Sequence, residues 1–524
     1  MMTRQKSESL IVPQGRGNSL SIDGNKQRRG GKGTPVKEGA KQLALPFATA
    51  ETPPQTGGAG GRRHANRSAC RKTQGPKVND KPQKCELAME EVVGNLQSAF
   101  IKVEANQGAP GPDRQNIGMV RKCLPIILPK LSASLIDGTY QPGDIRRVWI
   151  PKSGGGERGL GIPNVVDRMV AEAVRMVLEP FYEPTFHPSS HGFRPDRSCQ
   201  TAITEAQTYV QDGYGWVVDI DLEKFFDQVH HQRLMARLAR NISDKRLLSL
   251  IGRMLKAKVV MPDGVKVSTD EGLPQGGPLS PLLSNIVLSE LDEELTARGL
   301  RFVRYADDCN IYVGSERAGK RVMASMERFI SRRLRLRVNQ SKSAVARPET
   351  RHFLGFRLLA TDGKPEILLS ERSENRLRER ITELTPRSVG RSLSSIISQI
   401  NRYLQGWKGF FGKCTAGIAW FLQRMDAHIR RRLRAIILKH WKRKLTIAKR
   451  LIQLGVTRKT AWRRVYEARK RIWALSHDSA VERGLRNAYF AERGLVSLKS
   501  MFENLWSKPI APVQLTLDWD TARS

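Results

Sequence analysis

Acidic residues are scarce in this chain of 524 residues: 51 Asp and Glu stand against 89 Lys and Arg, a formal charge of +38. So one-sided a balance implies a polyanionic partner, most commonly nucleic acid. A ribosome-like or histone-like binder without chemistry meets the same requirement. Cysteine is sparse too. Cys70, Cys85, Cys123, Cys199, Cys309 and Cys414 are scattered, and no two stand at CxxC spacing. That argues against a zinc module and for a reducing compartment. No run of about 18 apolar residues occurs, so no helix spans a membrane, and the N-terminus lacks the apolar stretch of a secretory signal.

Hydrophobic residues make up 39% of the chain, enough for a substantial core and two or three domains. Residues 1–84 hold 17 Lys and Arg against 5 Asp and Glu among Gly, Pro and Ser, and read as a disordered basic tail. From about Leu87 the apolar period is helical. "VWIPKSGGGERGLGIP" (148–163) reads as strand, glycine turn and strand, followed by a helix with Val166, Met169, Val170, Ala173 and Val177 on one face. "VVMPDGVKVST" (259–269) reads as a hairpin, and "GLPQGGPLSPLLSNIVLSELDEEL" (272–295) as a loop opening into an amphipathic helix. Strands and helices alternate without βαβ spacing, which predicts an α+β domain with an antiparallel sheet. Past about residue 385 only helical signals remain.

Two carboxylate clusters interrupt apolar strands. In "RFVRYADDCNIYV" (301–313), Asp307 and Asp308 fall between apolar runs. Neighbouring side chains of one strand face opposite ways, so two carboxylates meant for one site require a bend. We read two strands joined by a turn with both aspartates at its tip. In "VVDIDLEKFFD" (217–227), Asp219 and Asp221 share one strand face and Ile220 and Leu222 the other. Carboxylates on a buried strand need a compensating charge. A divalent cation shared with Asp307 would supply it, and a salt-bridged structural cluster is the alternative. Mg2+ suits such oxygen ligands, and two ions about 4 Å apart clamp an in-line phosphoryl displacement.

With these clusters, "NQGAPGPD" (106–113), the 148–198 block ending "HPSSHGFRPDRS", "LPQGGPLSPLLSNI", "YADD", "LRLRVNQSKS" and "FLGF" follow in order. This series resembles the bacterial group II intron-encoded reverse transcriptases/maturases. The resemblance implies a right-hand polymerase, fingers and palm with an N-terminal extension (85–370), then an all-α thumb/maturase domain (371–508) and a C-terminal tail (509–524). It implies RNA-directed DNA polymerization with Mg2+, held by Asp221 and Asp307 with Asp308 beside them; Asp219 and Asp227 fall outside that set. Phe226 is implied as the ring that excludes a 2′-hydroxyl, with Phe225 as a competing core residue. Lys152 and Arg158 are implied as triphosphate contacts, Gln275 as a template and nucleotide contact, and Lys342 as a proton donor to pyrophosphate. Gly159 stands where a proline is commoner, and Pro112 and Arg114 where small residues are usual.

From Asn401 to Ala474 there are 21 Lys and Arg against Asp426 and Glu467, interleaved with aromatics. In "AHIRRRLRAIILKHW" (427–441), Ile429, Leu433, Ile436, Ile437 and His440 fall on one face, leaving Arg431, Arg432 and Arg434 as a charged outer surface. With Trp407 these arginines are the expected RNA contacts. A DNA-reading helix-turn-helix at 446–470 is the alternative there. No HNH-type cluster follows residue 474, so an endonuclease-lacking type is expected. Implied partners are structured intron RNA, an RNA template, a DNA primer or target and dNTPs, with a homodimer left open, in the bacterial cytoplasm. A reverse transcriptase of defence or diversity generation, and a splicing-only RNA-binding maturase, are the rival functions.

Overall fold

The computed structural model describes residues 87–151, 156–268, 270–386, 390–467 and 472–507. The expected tails (1–84, 509–524) and Lys152 lie outside the described residues.

Helices α1 (Met89–Gly94), α2 (Leu96–Ala105) and α3 (Ile117–Ile136) precede the hairpin of β1 (Ile145–Pro151) and β2 (Glu157–Ile162). Helix α4 (Val165–Tyr182) returns against α2, burying Met169, Val170, Ala173 and Val177 as its period predicts and leaving Val166 of that face half-buried. Helix α5 (Cys199–Gln211) starts at a capping box in which Ser198 and Thr201 satisfy each other's backbone N–H. Strand β3 (Trp216–Ile220), helices α6 (Phe225–Gln228), α7 (His231–Asn241) and α8 (Lys245–Leu255), and the short strands β4 (Val259–Val260) and β5 (Lys266–Val267) follow. Then come α9 (Ser280–Ala297), β6 (Arg301–Tyr305), β7 (Asp308–Val313), α10 (Glu316–Phe329), β8 (Ala344–Ala346), and the hairpin of β9 (Phe356–Leu359) and β10 (Glu366–Leu369). The remainder is helical: α11 (Glu371–Leu384), α12 (Leu393–Phe411), α13 (Ala419–Trp441), α14 (Lys444–Gln453), α15 (Arg458–Tyr466) and four short helices ending at Trp506.

Two four-stranded sheets organise the first part. One has the order β2-β1-β4-β5, with β4 parallel to β1; the other, β6-β7-β3-β8, is antiparallel throughout. In the second sheet, period-two alternation sorts side chains between two cores. Val218, Ile220, Cys309, Ile311 and Val313 enter a core with α4, α7, α8 and α9. Val217, Val303 and Tyr312 enter another, formed with α5, the β9–β10 hairpin and the helices after residue 390. The sheet is thus a partition, and the second core runs across residue 370.

Helix α9 is less sharply two-faced than its reading as an amphipathic helix. Ser284, Asn285, Ser289 and Asp292 are buried along with its leucines. Glu293, Thr296 and Ala297 remain exposed, and two of the buried polar residues, Asn285 and Asp292, serve an internal network described below. His440 also departs from its expected face: it is exposed, while Ile429, Leu433, Ile436 and Ile437 are buried as expected.

Candidate polymerase active site

The β6–β7 hairpin closes in a two-residue turn, since Tyr305 pairs with Asp308. The tip is therefore Ala306 and Asp307, while Asp308 opens β7 and is exposed. Ala306 has φ +56°, a left-handed conformation disfavoured for a residue with a Cβ. Its carbonyl accepts from Arg304 Nη1 at 2.9 Å. Arg304 is fully buried and uses all five donors. Nε and Nη2 grip Asp292 at 2.7 and 2.6 Å, Nη1 also reaches Asn285 Oδ1 at 3.0 Å, and Nη2 reaches Ser190 Oγ at 2.7 Å. This network explains Asn285 and Asp292 of α9, whereas Ser284 donates to the Pro281 carbonyl and Ser289 to that of Ile286. Sequence reading missed it, although a lone arginine inside the apolar "RFVRY" was the available signal.

Beside the turn, β3 delivers Asp219 and Asp221. Arg351 Nε donates to Asp219 Oδ2 at 2.9 Å and its Nη2 to the Lys342 carbonyl at 2.7 Å. Asp219 is thus neutralised by a side chain and leaves Asp221 as the carboxylate of this strand available to a cation. The Asp221 main chain is fixed by Ser343 Oγ, which accepts from its N–H at 3.0 Å, and by Asn339, which donates to its carbonyl at 2.8 Å. That turn carries Lys342, whose Nζ stands 3.5 Å from Asp221 Oδ2 and is well exposed. Burial pushes the Asp307 carboxyl above the usual range, and the charge on Asp221 adds to it; Arg158 and Arg304 oppose them.

Among the described residues, no three His, Cys, Asp or Glu side chains converge as a closed metal cage. The pair Asp221 and Asp307 nevertheless fits Mg2+, which is held by one or two carboxylates together with substrate phosphates. Two hard oxygen donors repel each other here, which a shared cation would relieve.

Phe225 is buried and Phe226 half-buried, their rings edge to face with centroids 5.3 Å apart. Leu273 N donates to the Phe226 carbonyl at 2.6 Å, and Gly161 N to the Gln275 carbonyl at 2.7 Å. The 272–277 loop is therefore laced between Phe226 and β2. Gly276 permits the approach: its φ is +116°, and a Cβ there would lie 3.0 Å from the Gly161 carbonyl oxygen. Arg158, exposed on β2, completes the rim. Asp221, Asp307, Phe226, Gln275, Arg158 and Lys342 are thus carried by adjoining elements.

The expected RNA contacts fare differently. Trp407 is 7% exposed and packs on Phe411 and Phe502, with ring centroids at 4.7 and 5.7 Å. Arg432 is buried, donating to the Thr385 and Thr382 carbonyls at 2.6 and 3.2 Å. Arg434 is buried, donating to the Leu485 carbonyl and to Glu482 at 3.0 Å each. The charged outer surface expected of these residues is corrected accordingly: α13 is covered on both sides, so helical period alone misassigned its arginines. Arg431 is half-buried, with its guanidinium 4.3 Å over the Trp473 ring. Exposed cations lie instead on α14, α15 and the turns before them: Lys442, Arg443, Lys444, Lys449, Arg450, Arg458, Lys459 and Arg463.

The family model described as reverse transcriptase (RNA-dependent DNA polymerase) matches residues 150–358, and that of the group II intron maturase-specific domain matches residues 374–453. Protein YkfC of Escherichia coli (strain K12) is 35% identical over 289 residues, which cover 48% of this chain and 76% of YkfC. Group II intron-encoded protein LtrA of Lactococcus lactis subsp. cremoris is 41% identical over 178 residues, 34% of this chain and 29% of LtrA. The Putative COX1/OXI3 intron 2 protein of Saccharomyces cerevisiae is 29% identical over 374 residues, 60% of this chain and 43% of that protein. The chain thus spans less than half the length of the last two relatives.

Proposed function

Because the chain belongs to the group II intron-encoded reverse transcriptases/maturases, we propose that it copies RNA into DNA at the Asp221–Asp307 site and assists splicing of a structured intron RNA. The observation that carries the polymerase reading is the presentation of Asp307 on a braced hairpin turn beside Asp221. Magnesium bound there would neutralise phosphate charge and lower the barrier for in-line attack by the primer 3′-hydroxyl. The chain's own residues do the rest. Asp221 and Asp307 would hold Mg2+ through their carboxylate oxygens, with Asp308 in support. Arg158 grips the triphosphate with a planar fork, joined by Lys152. Phe226 lies under the sugar and leaves no room for a 2′-hydroxyl, and Gln275 approaches the nascent pair from the glycine loop. Lys342 donates a proton to the departing pyrophosphate. The substrates are dNTPs on an RNA template with a DNA primer.

The division into 85–370 and 371–508 is a functional one on this reading, polymerization first and RNA recognition second. Asp307→Ala tests it. We expect cDNA synthesis on a preannealed template to fall at least about a hundredfold, with intron binding and assisted splicing within a few-fold of wild type. Extension within tenfold of wild type would remove Asp307 from the metal site. Loss of splicing together with extension would mean the variant is misfolded or the two functions are not separable.

A further inference from the structure

Between α4 and α5 the chain runs through "SSHGFRPD" (189–196), and the structure fastens this stretch residue by residue. Ser190 accepts from Arg304 as described, and the His191 N–H donates to the Arg304 carbonyl at 2.8 Å. The His191 ring lies 2.8 Å from Thr201 Oγ1 and 2.7 Å from Glu205 Oε2. Gly192 accepts from Asn285 Nδ2 at 2.9 Å. Arg194 donates to Glu183 and to the His187 and Ser190 carbonyls at 2.8, 2.6 and 2.8 Å. All four of these residues are buried, and Phe193 in their midst is 37% exposed.

Its backbone makes the exposure stranger. Phe193 has φ +62°, a region that bulky side chains avoid. Such strain persists only where the surroundings over-determine it, and it gathers at functional sites. Here the neighbours do over-determine it, yet more than a third of the residue is left open to solvent. The segment also lies against the catalytic turn: a Cβ on Gly192 would fall 2.2 Å from the Ala306 nitrogen. Phe193 is the next residue.

We propose that Phe193 is a substrate contact, stacking its ring on a nucleobase of the template–primer beside the catalytic turn. This rests on the polymerase reading above. Stacking on an aromatic ring suits a polymerase because every base offers a π-face, so the contact is tolerant of sequence.

The test compares Phe193→Gly with Phe193→Tyr in the full chain. Glycine accepts a positive φ without strain, so Phe193→Gly should keep or raise the melting temperature. Its affinity for a preannealed RNA template–DNA primer should nevertheless weaken roughly tenfold, while Phe193→Tyr binds like wild type. Single abasic positions near the primer terminus then locate the base. At the stacked position, base removal weakens the wild-type complex and leaves that of Phe193→Gly unchanged; the strand on which this happens identifies the partner. Wild-type affinity in Phe193→Gly overturns the proposal. So does a melting temperature that falls together with affinity, because the ring would then be packing. A wild-type protein unable to extend any primer would instead overturn the polymerase reading, with the binding comparison still deciding Phe193.

Discussion

Adjacent identical residues can have opposite fates, and the two phenylalanines of α6 are the sharpest instance. Phe225 belongs to the core with Leu222 and Val229, whereas Phe226 keeps part of its ring outside it. Truncating Phe225 to alanine should cost about 3–5 kcal/mol of stability and leave the dNTP to rNTP preference where it was. Phe226→Ala should relax that preference with a smaller loss of stability. Primer-extension ratios and urea midpoints measure both, and an unchanged ratio in the Phe226 variant removes its role against the 2′-hydroxyl. Arg432 offers a second residue-scale case. Read as exposed, it would be dispensable to folding. Buried with its donors on Thr382 and Thr385, Arg432→Gln should instead destabilise by about 1–3 kcal/mol, seen as a lower urea midpoint. A variant as stable as wild type would restore the exposed reading.

At the scale of elements, what could be read from the chain was set by local period and turn chemistry. The β1–β2 hairpin, the palm strands around Asp221 and Asp307, and the buried face of α4 follow from alternation and spacing that neighbours only reinforce. What escaped was decided by burial from a second side. Helix α9 has polar residues that look like a solvent face, yet Asn285 and Asp292 are buried against Arg304 of β6. Helix α13 looks two-faced, yet α11 and the short helices after α15 cover its arginines. One titratable group reports on that covering. Burial, reinforced by Arg432, Arg431 and Arg378, holds the His428 imidazole below its ordinary 6.5. A histidine depressed in the fold contributes stability that is present above the unfolded value and lost as pH falls through the folded one. Wild type should therefore lose stability between pH 7.5 and 5.5, and His428→Gln should lose less over the same interval. Equal losses in parallel denaturation curves would mean that the imidazole titrates alike in both states.

For the molecule as a whole, the charge excess must be assigned to surfaces that are free to meet phosphate. On α14 and α15, Lys449, Arg450, Arg458 and Lys459 are exposed. Replacing all four by glutamine should leave the fold intact, since exposed charges contribute little to it. Binding to structured RNA should weaken, and the slope of log K against log salt should become shallower by up to about 0.7–0.9 per lost contact. A slope unchanged from wild type would move the RNA-binding surface elsewhere.

The core that crosses residue 370 also bears on how the protein is born. Ala202, Ile203, Ala206 and Val210 of α5 share that core with Ile396, Ile400, Leu404 and Leu433. On the ribosome, α5 and the rear of the palm sheet emerge before their covering helices exist. At roughly 5–20 residues per second, about 200 further residues take some 10–40 s to make. Throughout that interval a sticky apolar face is bare beside a growing, strongly cationic nascent chain. The C-terminal helices are therefore the late-arriving lid on the polymerase's own folding intermediate, and any pause in translation between α5 and α13 prolongs the window in which that intermediate can aggregate.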